Sequence, residues 1–143
     1  MRKLNFELVP DSCWYSNLRS ALPKNLWEII KKDAKIRAKG KCAICGRETA
    51  RLEAHEKWSY DEKKGIQKLE DVISICHDCH SAIHIERTAL LGDEKRAEDH
   101  YIKVNGCTYA EMRQDRNKAN LDHRRRSQME WQADTSWLNK FTK

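Results

Sequence analysis

Two pairs of cysteines, each pair separated by two residues, stand thirty residues apart: Cys42-Ala43-Ile44-Cys45 and Cys76-His77-Asp78-Cys79. Four thiolates presented on two tight turns suit tetrahedral Zn2+, which takes soft sulfur ligands from paired C-x2-C knuckles. Cys42, Cys45, Cys76 and Cys79 therefore read as a structural zinc site. Gly46 follows the first pair and supplies the positive φ that such a knuckle often needs. The first residues, MRKLNFELVPDSCW, contain no apolar run of the kind a secretory signal needs. The spacing is accordingly read as metal in a reducing compartment, not as disulfides. Cys13 and Cys107 lie outside the pairs and read as small buried side chains.

A second set of ligand-type residues lies inside and just after the cysteine frame. His55 and Glu56 precede the second pair, and His80 and His84 follow it. Four residues apart, the last two share one face if the stretch is helical. The chain thus offers a sulfur site, which reads as structural, and a nitrogen and oxygen site, where chemistry would occur. Hydrolysis of a phosphodiester needs a divalent ion with open positions and a base that takes a proton from water. His55, His80 and His84 can hold the ion, and Glu56, or His55 itself, can be the base.

The local signals order these residues. Asn5–Val9 alternates loosely, Pro10-Asp11 starts a turn, and Trp14 and Tyr15 read as anchors. Pro23–Lys39 predicts a helix with an Asn25/Glu28 capping box, an apolar stripe of Leu26, Ile29, Ile30 and Ile36, and a stop at Gly40. Residues 51–58 and 67–75 predict an antiparallel hairpin with a polar loop. Within the first strand, Leu52, Ala54 and Glu56 take one face, and Glu53, His55 and Lys57 the other. A short helix follows from His80 to about Arg87. A further helix over 93–104 stops at Asn105-Gly106, and Thr108 and Glu111 form a capping box that opens a long helix to about Trp131. Trp137, Leu138 and Phe141 read as a docking tail.

Net charge is +6 and unevenly spread: residues 1–41 carry +6, residues 42–107 carry −3, and residues 108–143 carry +3. A mildly acidic centre between basic flanks suits a metal site whose arms meet a phosphate backbone. Lys31, Lys32 and Lys35 on the first helix, and Arg124, Arg125 and Arg126 on the last, are the candidate nucleic-acid contacts. A solvated face is the alternative for each group. His77 reads as exposed, and His100 and His123 as ordinary helix surface. No apolar run approaches the roughly 18 residues of a membrane span.

The succession C-x2-C, LEAHE, DVISIC-HDCH-x3-H resembles the HNH endonucleases, and the flanks FELVPDSCWYSNLRS-ALPKNLWEIIKK and RRRSQMEWQADTSWL resemble a bacterial and phage subgroup of them. The resemblance covers most of the chain. It implies an α+β fold: a small ββα-metal core stapled by a four-cysteine zinc site, with helical extensions on both sides. The expected parts are an N-terminal extension and helix (1–41), the zinc-stapled core (42–87) and a C-terminal helical extension (88–143), in one compact unit. In one register His55 is a metal ligand and Glu56 the base; in the other His55 is the base and Ala54 stands in the ligand position. Asp71 falls where the family has its middle Asn, and His80 and His84 fall on the helix motif. The function implied is metal-dependent hydrolysis of DNA, with Mg2+, Mn2+, Ni2+ or Zn2+ at the histidines, in the cytoplasm of a bacterium or a phage-infected host. The competing class is a catalytically impaired module binding DNA or a protein, for example a phage inhibitor of a host defence complex.

Overall fold

In a computed structural model, residues 2–13 and 18–142 are described; the expected anchors Trp14 and Tyr15 fall outside them. The elements are α1 (Leu18–Ala21), α2 (Lys24–Ala38), β1 (Leu52–Asp61), β2 (Ile66–Cys76), α3 (His77–Ile83), α4 (Ile85–Leu90), α5 (Glu94–Asn105), α6 (Tyr109–Arg126), β3 (Gln132–Asp134) and a 3-10 helix (Ser136–Phe141). The class is α+β, with a three-stranded sheet of order β1-β2-β3. None of the described helices is long and apolar enough to cross a membrane.

β1 and β2 form the expected antiparallel hairpin, pairing Leu52 with Cys76 at one end and Asp61 with Ile66 at the other. The strands run further than the alternation suggested. At the tip Gly65 has φ 66°, and a Cβ there would come within 3.0 Å of the Glu130 carbonyl. Between Lys57 and Trp58 the register shifts, because Lys57 opposes Asp71 while Trp58 opposes Leu69. Glu70 is the extra residue of this bulge. Leu69 and Val72 are three apart and would face opposite sides of a regular strand; the bulge lets both enter one core. β3 adds to β2 in parallel over three residue pairs beginning at Ile66–Gln132. It was not anticipated, since so short a segment carries no periodic signal.

Each face of the sheet supports a core. Leu18, Trp27, Ile30, Ala34, Leu69, Val72 and Leu138 gather under α2 and the 3-10 helix, with Trp137 and Phe141 against them. Leu4, Phe6, Ile75, Ile83, Tyr101 and Met112 gather with three of the knuckle cysteines on the side of α3, α5 and α6. The N-terminal segment belongs to this second core. Phe6 stacks on Tyr101 at 4.0 Å between centroids, and the Asn105 side-chain oxygen accepts the N–H groups of Lys3 and Leu4, both at 3.0 Å.

α2 departs from its sequence reading in two respects. Pro23 is the N-cap and no side-chain cap forms, so the Asn25/Glu28 box is absent; Glu28 instead meets Lys31 at 3.4 Å. Proline fits the N-cap because its ring holds φ near the observed −54° and an N-cap N–H would have no partner within the helix. The buried stripe is Trp27, Ile30 and Ala34, whereas Ile29 and Ile36 are exposed. The helix leaves at Lys39, itself left-handed with φ 54°, before Gly40. The Thr108/Glu111 capping box forms as expected, but α6 ends at Arg126, five residues early.

Candidate metal centres and the cleft between them

The first knuckle closes as a tight turn. The Cys42 N–H donates to the Arg47 carbonyl at 2.9 Å, and the Gly46 N–H returns to the Cys42 carbonyl at 3.0 Å. The Ala43 N–H reaches the Ser74 carbonyl at 3.0 Å, which ties the knuckle to β2. The second knuckle is the start of α3: Cys76 is its N-cap, and its sulfur accepts the Cys79 N–H at 3.4 Å. The four sulfurs lie within 4.8 Å of one another, and Cys45 and Cys76 are 3.7 Å apart. Zn–S bonds of about 2.3 Å at tetrahedral angles place sulfurs about 3.8 Å apart. The four cysteines can therefore hold a structural metal such as zinc.

Their protonation points the same way. A hydrogen bond from Cys79 pulls the Cys42 thiol down to about 4, and that same bond, with burial, pushes Cys79 far up. Burial and the neighbouring Cys42 raise Cys76 to about 11. Four like charges cannot share so small a volume without a cation. His100, read from sequence as plain helix surface, places Nε2 at 3.2 Å from the Cys79 sulfur. Its distance in sequence from either knuckle hid this contact.

The second centre is built by β1 and the α3–α4 break. His55, His80 and His84 each bring a ring nitrogen within 4.8 Å of the others'. Ring centroids are 5.6 Å from His55 to either helical ring, and 4.9 Å between His80 and His84. The expected single helix is split at His84, whose ψ of 50° ends α3 and starts α4. The Thr88 hydroxyl donates to the Ser81 carbonyl at 2.7 Å and holds the two pieces together.

Two carboxylates orient the rings. The His80 Nδ1–H donates to Glu53 Oε1 at 2.7 Å, and the exposed His77 occupies Glu53 Oε2 at 3.0 Å. The His55 Nε2–H donates to Glu7 Oε1 at 3.0 Å. Each bond fixes a tautomer and leaves the other ring nitrogen, Nε2 of His80 and Nδ1 of His55, as a lone-pair donor. Burial, with the charges of His80 and His55, lowers the His84 pKa to about 4. Burial also lowers His80, against the opposing pull of Glu53. Both rings are therefore neutral at pH 7, the form that binds metal. For Glu7 and Glu53, burial is the largest influence and pushes the carboxyl up, but the histidine hydrogen bonds and the nearby positive charges together outweigh it and hold both below the usual range.

The three histidines line a cleft of about 510 Å³ with Glu53, Ala54 and Glu56 of β1, and with Arg19, Lys31 and Arg87. β1 is an edge strand, so the cleft wraps its rim and meets residues of both faces. Glu56 pairs across the sheet with Val72, on the α2 side, while His55 pairs with Ile73 on the other. The Glu56 carboxylate accepts the N–H of Leu18 at the start of α1, and burial raises its pKa.

The remaining candidates lie elsewhere. Asp71 takes the Val72 N–H at 2.8 Å and pairs with Arg37 of α2 at 3.4 Å, and it does not line the cleft. Lys32 and Lys35 are on α2 away from the cleft. Arg125 and Arg126 are bound to Glu62, and Arg124 is exposed beside them. Glu7, Glu53 and Arg87 were not singled out from sequence. For Glu7 the signal was an acid alone in the apolar run Phe6-Glu7-Leu8-Val9, flanked on both sides by side chains that seek a core. No known protein family matches the chain, and neither a curated protein nor a solved structure matches it.

Proposed function

We propose that this chain is an HNH-type metal-dependent endonuclease that hydrolyses DNA phosphodiester bonds. The observation that carries the reading is the convergence of His55, His80 and His84, from a hairpin strand and a helix, on a cleft flanked by Arg19, Lys31 and Arg87. The donor set fits a divalent ion, since three imidazoles leave positions for water and a phosphate oxygen. When bound there, such an ion, Mg2+, Mn2+, Ni2+ or Zn2+, would supply Lewis-acid stabilisation of the charge on the phosphate. His55, His80 and His84 hold it, Glu53 fixes the His80 ring, and the cleft cations hold the backbone phosphates. Glu56 is the carboxylate of this cleft assigned to take the proton from the attacking water. Cys42, Cys45, Cys76 and Cys79 hold a structural Zn2+ that staples the hairpin to α3.

The test is nicking of supercoiled plasmid by the zinc-loaded protein with each of Mg2+, Mn2+ and Ni2+. Nicking with at least one ion, abolished in His80→Ala while zinc content is kept, is the expected result. A second reading, a non-catalytic module that binds DNA or a protein, is favoured by the engagement of Glu56 with the Leu18 N–H and of Asp71 with Arg37. Tight binding to DNA without nicking under any metal would select it.

A further inference from the structure

The histidine centre depends on a residue outside the hairpin and helix that carry the ligands. Glu7 belongs to the N-terminal segment and makes two contacts across the site. Its backbone N–H donates to the Ile83 carbonyl at 3.1 Å, one residue before His84. Its carboxylate accepts the His55 Nε2–H at 3.0 Å. One residue thus grips the helical arm through its main chain and the strand arm through its side chain. The His55 side chain is 5% exposed and that of Glu7 25%, so water does not readily replace either partner. Lys57 lies 3.8 Å from the second carboxylate oxygen.

The grip is itself held. Leu4 is fully buried, Phe6 stacks on Tyr101, and Asn105 closes on the main chain of residues 3 and 4 in both directions. Glu7 therefore reaches His55 from a fixed base on α5.

We infer that Glu7 is a positioning residue of the metal centre, setting the tautomer of His55 and the separation between the strand ligand and the two helical ligands. The inference rests on reading the three histidines as a metal site, and not on which reaction that site performs. A ring whose distal N–H is bound by a carboxylate is a better oriented and more basic ligand, and loss of such a partner typically weakens metal binding by about 10–100-fold.

The experiment is a titration of the full chain, its four cysteines loaded with zinc, with Co2+. The visible d–d absorption reports histidine binding, and absence of a thiolate-to-cobalt band shows that zinc has not been displaced. Glu7→Ala is expected to weaken Co2+ binding at least tenfold and to alter the d–d envelope. Glu7→Gln keeps an acceptor for His55 without the charge, and is expected to recover part of that loss. A merely structural role would lower the melting temperature of the Co2+-free protein and leave the affinity and the spectrum alone. Unchanged affinity in Glu7→Ala overturns the inference. Should Glu7→Ala fail to fold, Glu7→Gln decides: affinity and spectrum equal to wild type overturn it, and a weakened, shifted site supports it. Wild type that binds no Co2+ at the histidines overturns it together with the nuclease reading. Wild type that binds Co2+ but never nicks DNA removes the nuclease reading alone.

Discussion

The Arg125 guanidinium closes on the Glu62 carboxylate through two hydrogen bonds, Nε to Oε1 at 2.7 Å and Nη2 to Oε2 at 2.9 Å. Arg126 adds a third at 3.1 Å. Two of the cations that sequence offered for DNA are thus used to fasten the last turn of α6 to the hairpin loop. Arg125, then Arg126, pull the Glu62 carboxyl down to about 2. The folded pKa lies below the unfolded value of about 4.3, so the contribution to stability is complete above that value. It is lost as pH falls through about 2. Carboxyl-detected NMR should find Glu62 largely ionised at about pH 3. Because the pair faces solvent, Glu62→Gln should lower the melting temperature by only a few degrees.

Arg87 lines the cleft and has no carboxylate partner among the described residues, and Lys31 has only a long contact with Glu28. Replacing either with alanine should weaken DNA binding evenly across sequences. Each should also reduce the slope of log K against log salt by about 1. Arg125→Ala should leave that slope unchanged and act on stability instead. Fluorescence anisotropy over a salt series separates the two behaviours; an unaltered slope for Arg87→Ala would place the DNA elsewhere.

Glu56→Gln tests the assignment of the proton acceptor. A general base typically contributes about 10²–10⁴-fold to rate. Single-turnover nicking should therefore fall at least about 100-fold in this variant, with Co2+ affinity at the histidines retained. If the rate holds, the carboxylate only caps α1 through the Leu18 N–H.

Arg116 of α6 is 8% exposed and meets Glu86 at 2.8 Å, Glu94 at 2.8 Å and Glu98 at 3.0 Å. One guanidinium joins α4, α5 and α6. Truncation to alanine leaves the nearly buried Glu98 with only the longer contact to Arg113. Breaking a buried network from one side costs about 3–5 kcal/mol. Urea denaturation of Arg116→Ala should show a loss of that size; a loss below about 1 kcal/mol would mean that solvent reaches the cluster.

The ligand frame was legible because its signal is spacing. C-x2-C repeated, and two histidines four apart, survive without any knowledge of tertiary contacts, and the hairpin between them follows from alternation. Residue type alone does not show the core face of α2: Ile29 and Ile36 are exposed, while Trp27 and the small Ala34 pack. A helix offers several stripes, and the sheet beneath selects one. Glu7 and the role of His100 are hidden for another reason. Each acts across a gap in the chain, Glu7 on His55 and His100 on Cys79, and a single polar residue has no period to announce it.

The sulfur of Cys76 that joins the cysteine cluster also caps the helix on which His80 stands, and that helix ends at His84. The two centres are therefore mounted in series on one short rod, and the first serves as the bearing for the second. Stripping the thiolate site with a chelator would release the near end of that rod and let the imidazoles swing apart. Linkage runs both ways, so an ion seated at the far end should in turn make the thiolates surrender theirs less readily.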